Sequence, residues 1–465
     1  MQNGRSWIGR EAWVAAAIGV FALARCAPPL EGLTPLGQAV LGAVAAGAML
    51  WISEAVPIGV TALLVVTLLG LCPGLRLPDA AIGFTGEVVF FLVGVTGIGA
   101  AVESSGLAAR AARALARSAR GSTTRLFVQM IAGFPVLALL VPSAITRNAV
   151  LIPAYRDALA AMGIGQKGRA GRAVMLALGI LNPLASSALL TGGITSITAA
   201  TLIGGFSWLS WFTLMAVPYY LLLCSGAVLL WLLVGGFEAA GAVDPKPTVD
   251  RQPYSAAEKR TLAVLAATAG LWLTDWAHHL SPAIPALLGA ALLLLPGVGV
   301  IAWKAFESRL SWGLILTVGA SLSLASLMTT SGAASWLGRL LLGNLPGLAA
   351  YPLLLLAALI LAVVLVHLAI TNLAACVALL LPINATIASS AGLNPVVTGL
   401  VLTIAVDAVI LYPVQTASNL MAYEAGYFDR SDVVKAGLGM LCLTVLVVLL
   451  VLPYWALLGL PLSAP

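Results

Sequence analysis

The sequence contains few charged residues. Only 9% of its 465 residues are Asp, Glu, Lys or Arg, whereas 61% are hydrophobic and the mean hydropathy is +1.06. Soluble domains use roughly half apolar and a quarter charged residues. Apolar stretches near the ~20 residues that a bilayer core requires recur along the whole chain. The composition therefore excludes a soluble fold and predicts an all-α integral membrane protein surrounded by lipid.

Residues that carry out chemistry in enzymes are scarce as well. The chain has three His, of which His278 and His279 are adjacent and His367 is alone, and its five Cys stand singly. It has no paired acidic motif and no glycine-rich phosphate loop, so the residue clusters that metal, redox or nucleophilic catalysis requires are missing from the sequence. We therefore expect no enzyme, no bound metal and no cofactor.

A polar stretch divides the chain. Residues 236–260 have mixed charge and no periodicity, and they predict a cytoplasmic linker between a first half, 35–235, and a second half, 261–465. Residues 1–34 contain the first helix, at about 11–28. The net charge of +6 does not indicate a nucleic-acid partner, because basic residues in a membrane chain chiefly mark cytoplasmic loops.

The two halves contain similar segments. VVFFLVGVTGIGAAVESSGLAARAARALAR (88–117) corresponds to GLILTVGASLSLASLMTTSGAASWLGRLLL (313–342), and AITRNAVLIPA (144–154) corresponds to AITNLAACVALLLPI (369–383). The offset is about 225–229 residues throughout, which indicates an internal duplication. Duplicated membrane halves are typical of secondary transporters.

Lys and Arg predict that the two halves are inverted. Residues 110–172 are rich in Arg and also contain Lys167, whereas residues 337–398 hold only Arg339. The flanks of the first segment are therefore predicted to face the cytoplasm and those of the second to face outward. Residues 126–163 and 349–390 thus each begin and end on one side, around a central polar patch. We interpret them as re-entrant hairpins, with two full crossings each as the alternative.

The whole pattern predicts about 11 transmembrane helices plus the two hairpins, arranged as two inverted structural repeats. The protein is placed in the inner (plasma) membrane, with its N-terminus in the cytoplasm and its C-terminus outside.

Hydroxyls, amides and glycines interrupt the apolar pattern at four places. Two are the hairpin tips, and two are ASSALLTGGITSITAA (185–200) and YPVQTASN (412–419), inside stretches long enough to span the bilayer. A helix broken there frees carbonyls for a cation, while half-helix N-termini attract an anion. We expect all four places to meet at one central site. The candidate substrate-binding residues are Ser143, Thr146, Arg147, Asn148, Thr191, Thr195, Thr371, Asn372, Thr416, Ser418 and Asn419. The candidates for cation or proton coupling are Ser143, Gly192, Asn372 and Asp407.

Several of these stretches resemble the divalent anion/sodium symporter family, whose members carry dicarboxylates, citrate or sulfate. They are WISEAVPIGVTALL (51–64), the LIP at 151–153, and LYPVQTASNLMAYEAGYF (411–428) followed by DVVKAGL (432–438). The resemblance covers about residues 35–460. It implies secondary active transport of a small anion by a homodimer. It also implies a static scaffold domain and a transport domain that moves in an elevator mechanism. The transport domain would be built from both hairpins, the two broken helices and the spans after them.

In that family each hairpin tip carries Ser-Asn-Thr, which helps to bind sodium and the substrate carboxylates. Ser143 matches the Ser of the first tip, but Ala144 and Ile145 replace the next two residues. The second tip keeps part of the motif, with Thr371 and Asn372. Sodium coupling, proton coupling and exchange are therefore all left open.

Arg147 lies in the middle of the first tip, where a charge is costly unless it faces water or a partner. Our hypothesis is a fixed positive charge that binds a carboxylate or sulfate, or stands where a sodium ion would otherwise bind. The alternatives are a structural pair with Asp157, Glu103 or Asp407, or snorkelling to the cytoplasmic face. For proton coupling, Asp407 and Glu424 flank the second broken helix, and Asp407 is the better candidate.

Other functions require other patterns. A cation/proton antiporter of the same superfamily would use an intramembrane Asp pair, a channel would need a continuous pore, and a membrane-embedded enzyme would need the constellation that is missing. Most of the 12 Trp, for example Trp208, Trp211, Trp272 and Trp276, fall near predicted span ends and are interpreted as part of interfacial belts.

Overall fold

The backbone is built from helices. The described residues form no strand, and seven of their helices are long and apolar enough to cross a membrane. The predicted all-α membrane fold is confirmed, whereas the number of about 11 crossings stays a prediction. Thr371, Asn372 and the middle of the predicted linker lie outside the described residues. The computed structural model describes residues 7–118, 121–141, 143–238, 253–343, 351–370 and 373–463.

The first half contains one hairpin and one interrupted helix. Helix α1 (Trp7–Cys26) precedes this half, whose own helices are α2 (Pro35–Ser53), α3 (Ile58–Gly70), α4 (Leu77–Ala80), α5 (Glu87–Ser104), α6 (Leu107–Ser118), α7 (Thr123–Leu140), α8 (Ala144–Ala161), α9 (Arg169–Ser187), α10 (Ile194–Ile203) and α11 (Trp208–Leu233).

The second half follows the same order, with one additional short helix. Its helices are α12 (Ala256–Leu273), α13 (Asp275–His278), α14 (Ala283–Leu294), α15 (Trp303–Glu307), α16 (Trp312–Thr330), α17 (Ala333–Gly343), α18 (Pro352–Ala369), α19 (Leu373–Ser390), α20 (Pro395–Ala408), α21 (Ala417–Glu424) and α22 (Arg430–Leu457).

The halves pack against each other in a reciprocal way. α5 of the first half packs on α14, and its counterpart α16 packs on α3. Glycines allow both approaches: a Cβ on Gly94 would lie 2.6 Å from the carbonyl carbon of Ala286, and one on Gly59 would lie 3.1 Å from the Cα of Gly313. This reciprocity is what a two-fold relation between repeats would produce. The inverted repeats themselves stay a prediction.

Both predicted hairpins are present as pairs of helices, α7/α8 and α18/α19, and every arm has 18 residues. Arg147 at the first tip contacts Asn182 of α9. Arg147 lies ~20 Å along α8 from the turn that joins α8 to α9, and Asn182 lies ~20 Å along α9 from the same turn. Helix α10 continues farther from that turn than either residue. The first tip therefore ends beside the break between α9 and α10, which supports a re-entrant hairpin.

Polar contacts join segments that were predicted to lie on the same side of the membrane. Arg110 binds Glu258 with Nε–Oε1 at 2.6 Å, and Arg172 lies 3.7 Å from Asp432, all in segments predicted to be cytoplasmic. The Arg110 guanidinium, together with the Ser255 backbone amide, lowers the pKa of Glu258 to about 2. On the predicted outer side, the backbone N–H of Asn394 donates to the Leu462 carbonyl at 2.7 Å.

Candidate functional site

The first hairpin tip begins α8. Ser143 has an extended backbone conformation, and its hydroxyl caps the helix by accepting from the Thr146 amide at 3.2 Å. Ser143 is exposed and Thr146 half-buried, and 45% of the neighbouring Ile145 side chain is exposed. The amide end of α8 therefore lies at an accessible position and carries the partial positive charge of a helix N-terminus.

Arg147 lies one turn into α8 and is only 2% exposed. Its Nε donates to Asn182 Oδ1 at 2.7 Å, Nη2 to the Asn182 carbonyl at 2.9 Å and Nη1 to the Val141 carbonyl at 2.7 Å. Oxygens of α9 and of the tip thus hold the guanidinium. Such burial excludes snorkelling to a surface. Two of the acids considered as partners bind elsewhere, because Glu103 lies 3.7 Å from Arg309 and Asp407 accepts from hydroxyl groups.

Asn148 connects the first tip to the second broken helix. Its Nδ2 lies 2.9 Å from Ser418 Oγ and 3.0 Å from the Leu178 carbonyl, while its Oδ1 accepts from Asn182 Nδ2 at 2.7 Å. Asn148 and Asn182 are completely buried, and Ser418 is 5% exposed. This amide therefore joins α8, α9 and α21 in one polar network.

The second broken helix is interrupted between Ala408 and Ala417. Gln415 closes the turn, since its Oε1 accepts from the Leu411 amide at 2.7 Å and its Nε2 donates to the Val409 carbonyl at 3.2 Å. The Thr416 hydroxyl then caps α21 by accepting from the backbone N–H of Asn419 at 3.2 Å. The second half-helix thus also presents a capped N-terminus, and Thr416 is half-buried.

Asn419 packs between this break and α9. Its Nδ2 donates to the Pro413 carbonyl at 3.1 Å, while its buried Oδ1 has no hydrogen-bond partner within the described part of the chain. A Cβ on Gly179 would lie 2.5 Å from that oxygen, so glycine is what lets α9 approach so closely. The Tyr412 hydroxyl donates to the Leu368 carbonyl at 3.0 Å, which brings the break close to the second hairpin.

The first broken helix is interrupted between Ser187 and Ile194. A Cβ on Gly192 would lie 1.8 Å from the Ser186 carbonyl oxygen, so only glycine fits this turn. The indole of Trp208 donates to Thr191 Oγ1 at 3.2 Å. On the far side of the break, Thr195 donates to Asp407 Oδ2 at 3.0 Å.

The interpretation of three tryptophans as interfacial belts is wrong. Trp208, Trp211 and Trp272 are 2%, 0% and 4% exposed, and the rings of Trp208 and Trp272 stack at 6.3 Å. Their indole N–H groups find acceptors inside the protein, so these residues support the first break and the neighbouring loops rather than the lipid interface.

The described site residues thus form two groups. Arg147, Asn148, Ser418 and Asn419 lie around α9, with Ser143, Thr146 and Thr416 at the adjoining helix ends. Thr191, Gly192, Thr195 and Asp407 lie around the first break. Sequence reasoning missed Asn182 and Tyr219, the residues that bind Arg147 and Asp407. An amide before Pro183 inside an apolar helix was the signal for Asn182; nothing in the sequence marked Tyr219.

A separate cavity of about 880 Å³ opens on the predicted outer side, between the α10–α11 loop, the α12–α14 connection and the C-terminal segment. Trp276, 67% exposed, and His279 line it together with Asp275 and the Glu87–Ser281 pair. It contains none of the candidate site residues.

A helical hairpin whose tip meets an interrupted helix in a buried polar network is typical of secondary transporters. The family described as "Sodium:sulfate symporter transmembrane region" matches residues 6–460, and the chain belongs to it. The predicted divalent anion/sodium symporter family is thereby confirmed. The protein is a multi-pass membrane protein and a secondary anion transporter, not an enzyme.

Individual relatives agree with this assignment. A Cupriavidus necator chain named "Membrane protein" is 26% identical over 96% of this chain and 92% of its own length. The rat "Solute carrier family 13 member 1" is 32% identical, but over 34% of this chain and 26% of its own length. The crystal structure of the Alcanivorax borkumensis YdaH transporter matches with a TM-score of 0.56 at 17% identity, covering 82% of this chain and 88% of its own, which shows a common fold.

Proposed function

We propose that the protein carries a small divalent or trivalent anion, of the dicarboxylate, citrate or sulfate type, across the inner membrane. The observation that carries the proposal is the hydrogen bond between Asn148 and Ser418, 2.9 Å long. It joins the first hairpin to the second broken helix near the start of both α8 and α21. Two helix N-termini therefore lie close together, and each favours negative charge.

We assign the binding of the anion to the residues at these helix ends. Ser143, Thr146 and Thr416 supply hydroxyl groups at accessible or half-buried positions. Arg147, one turn farther into α8, supplies a permanent positive charge, because a guanidinium keeps its proton. This charge strengthens an anion site without contacting the anion. Thr371 and Asn372, which lie outside the described residues, are assigned to the same site from the sequence, and Asn419 and Thr191 hold the two breaks in shape.

Arg147 also bears on coupling. Val141 and Asn182 surround the guanidinium with two carbonyl oxygens and one amide oxygen. Oxygen atoms of this kind are suitable ligands for a hard cation. A built-in cation replaces a mobile one, which favours proton coupling or exchange over sodium symport.

The transport movement belongs to the same proposal. A homodimer would hold a static scaffold, containing α2, α3, α5, α12, α14 and α16, while the hairpins and broken helices move as one body in an elevator mechanism. The reciprocal packing of α5 on α14 and of α16 on α3 supports a scaffold shared by both halves. The bond between Asn394 and Leu462 supports a C-terminus on the same side as the end of the second hairpin, the predicted outer side.

The cation/proton antiporter alternative is less well supported. It requires a pair of intramembrane aspartates, and among the described residues Asp407 meets the hydroxyls of Thr195 and Tyr219 instead of a second acid.

Counterflow into proteoliposomes tests the proposed function. Vesicles loaded with unlabelled dicarboxylate, citrate or sulfate should take up the same labelled anion, and vesicles loaded with a monovalent anion should not. Thr416→Val removes the hydroxyl that caps α21 and should raise KM about tenfold, the equivalent of one charge-assisted hydrogen bond. Thr213→Val on α11, whose hydroxyl binds its own helix, is the matched control and should keep the wild-type KM. Absence of counterflow with every divalent anion would contradict the proposal.

A further inference from the structure

A buried carboxyl group joins the two broken helices. Asp407 is 7% exposed and stands just before the break of α20. Its Oδ2 accepts from Thr195 of α10 at 3.0 Å and from Tyr219 of α11 at 2.6 Å, and both hydroxyl-bearing residues are buried. Asp407 therefore ties the first broken helix and α11 to the second broken helix.

Within the described part of the chain, hydroxyl groups and not cations surround this carboxyl group. The Ser187 side chain also faces the carboxyl group, and a Cβ on Gly193 would lie 3.4–3.7 Å from the hydroxyls of Ser187, Thr195 and Ser196. An ionised carboxylate out of contact with water is costly unless a cation pairs with it. Hydroxyls relieve part of that cost, and a proton on the carboxyl group removes the rest.

The charged and titratable groups on the neighbouring helices point elsewhere. α20 packs against α9, α10, α11, α18, α19 and α22. On α18, His367 contacts the Ile370 carbonyl at 3.1 Å, and Cys376 lies buried on α19. Arg172 of α9 and Asp432 of α22 approach each other at 3.7 Å at the cytoplasmic ends. Among the described residues, Tyr219 is the titratable group that touches the carboxyl group.

The other acid near this break is differently placed. Glu424 ends α21 and is exposed, whereas Asp407 is enclosed. An exposed acid exchanges its proton with water in every conformation, so its protonation is not tied to the movement of the domain. Only an acid that is enclosed in transit can carry a proton from one side to the other.

We propose that Asp407 binds the proton that is carried together with the anion, within a hydroxyl pocket that links the two broken helices. This inference rests on the proposed function and deepens it. The step is a simple protonation, in which the carboxylate takes one proton from water on the entry side and returns it on the exit side. Both observed hydrogen bonds end on Oδ2, which leaves Oδ1 to carry the proton. The neutral acid travels with the moving domain, because an enclosed carboxylate without a paired cation is costly.

The test uses the purified full-length protein in sodium-free proteoliposomes with the membrane potential clamped to zero. A gradient of one pH unit, acidic outside, should drive about tenfold accumulation if one proton accompanies each anion. In Asp407→Asn, the ratio of accumulation with and without the gradient should fall to about one. Glu424→Gln, the matched control, should keep the wild-type ratio.

A second measurement covers the case in which Asp407→Asn does not transport. Infrared difference spectra between acid and alkaline protein should contain the carbonyl band of a protonated carboxylic acid, and Asp407→Asn should lack that band while Glu424→Gln keeps it. Tyr219→Phe should shift the pH at which the band appears.

The outcomes separate the two proposals. Absence of counterflow in the wild type contradicts the proposed function. Counterflow without proton-driven accumulation, accumulation that requires a sodium gradient, or an Asp407→Asn variant that keeps both the pH response and the band overturns this inference and leaves the anion site standing.

Discussion

The Nδ2 atom of Asn148 lies 2.9 Å from the Oγ of Ser418, although 270 residues separate them in the chain. The contact links the two halves at the point where a hairpin tip meets a broken helix. Because Asn148 also binds Asn182 and the Leu178 carbonyl, a change at this amide affects three helices at once. Residues of both halves therefore form the site, and neither half could form it alone.

Asn148→Leu should destabilise the protein more than Ser418→Ala. The first change leaves the buried Ser418 hydroxyl without the partner it has in the described structure, at a cost of about 1–3 kcal/mol, and leaves Asn182 Nδ2 with only the longer bond of 3.3 Å to the Ala144 carbonyl. The second change removes a hydroxyl group, and the Asn148 donor keeps the Leu178 and Ser418 carbonyls as acceptors. Thermal unfolding in detergent measures the difference. Equal melting temperatures for the two variants would contradict the network.

Removal of the Arg147 side chain should create sodium dependence. In Arg147→Ala, the Val141 carbonyl and the Asn182 oxygens lose their donors, and a sodium ion can take the vacant place. We expect sodium chloride to raise the melting temperature of the variant by roughly 2 °C or more above the value in potassium chloride. The wild type should show no such difference. Arg147→Lys, with a point charge that cannot reach all three oxygens, should lose at least about tenfold in uptake.

A failure of sodium to stabilise Arg147→Ala, when that variant remains folded, would mean that these oxygens do not form a cation site. Arg147 would then be a structural tether between the hairpin and α9.

Two adjacent glycines of the first break should respond differently to alanine. In Gly192→Ala the new Cβ would lie 1.8 Å from the Ser186 carbonyl oxygen, so the backbone must move. In Gly193→Ala the nearest atom is at 3.4 Å, an ordinary contact. We expect Gly192→Ala to lose folded protein on size-exclusion chromatography and Gly193→Ala to remain monodisperse. The reverse order would show that the turn has a different shape.

Acid should weaken the contact between α6 and α12. Arg110 lowers the pKa of Glu258 from 4.5 to about 2 in the folded protein. A depressed folded pKa means that the stabilisation is present above pH 4.5 and is lost as the pH falls from there toward 2. Glu258→Gln should therefore reduce the drop in melting temperature over this range. Glu307→Gln, a change at an exposed acid, serves as the control and should follow the wild type. Parallel curves for all three proteins would contradict the assignment.

The sequence allowed a good part of the architecture to be predicted. The hairpins, predicted at 126–163 and 349–390, occupy α7/α8 and α18/α19, because a polar patch between two apolar arms is a strong local signal. Both breaks were located by Gly192 and by Pro413, whose backbone requirements are also local.

What could not be predicted depends on long-range contacts. Tyr219 looks like any aromatic residue of an apolar helix, and its role follows from Asp407, 188 residues away. The buried stack of Trp208 and Trp272 was mistaken for an interfacial belt, since a span end inside a bundle and one at the lipid interface have the same composition. The partners of Arg147 were equally hidden, because a guanidinium donates to carbonyl and amide oxygens as readily as to acids.

The most direct test of the central claim is a structure of the protein determined with a transported anion, using selenate in place of sulfate so that the ligand can be identified by its anomalous signal. The account predicts density between the N-termini of α8 and α21, within hydrogen-bond distance of Ser143 or Thr416. An anion found in the outer cavity beside Trp276 and His279, with the two helix ends empty, would contradict it.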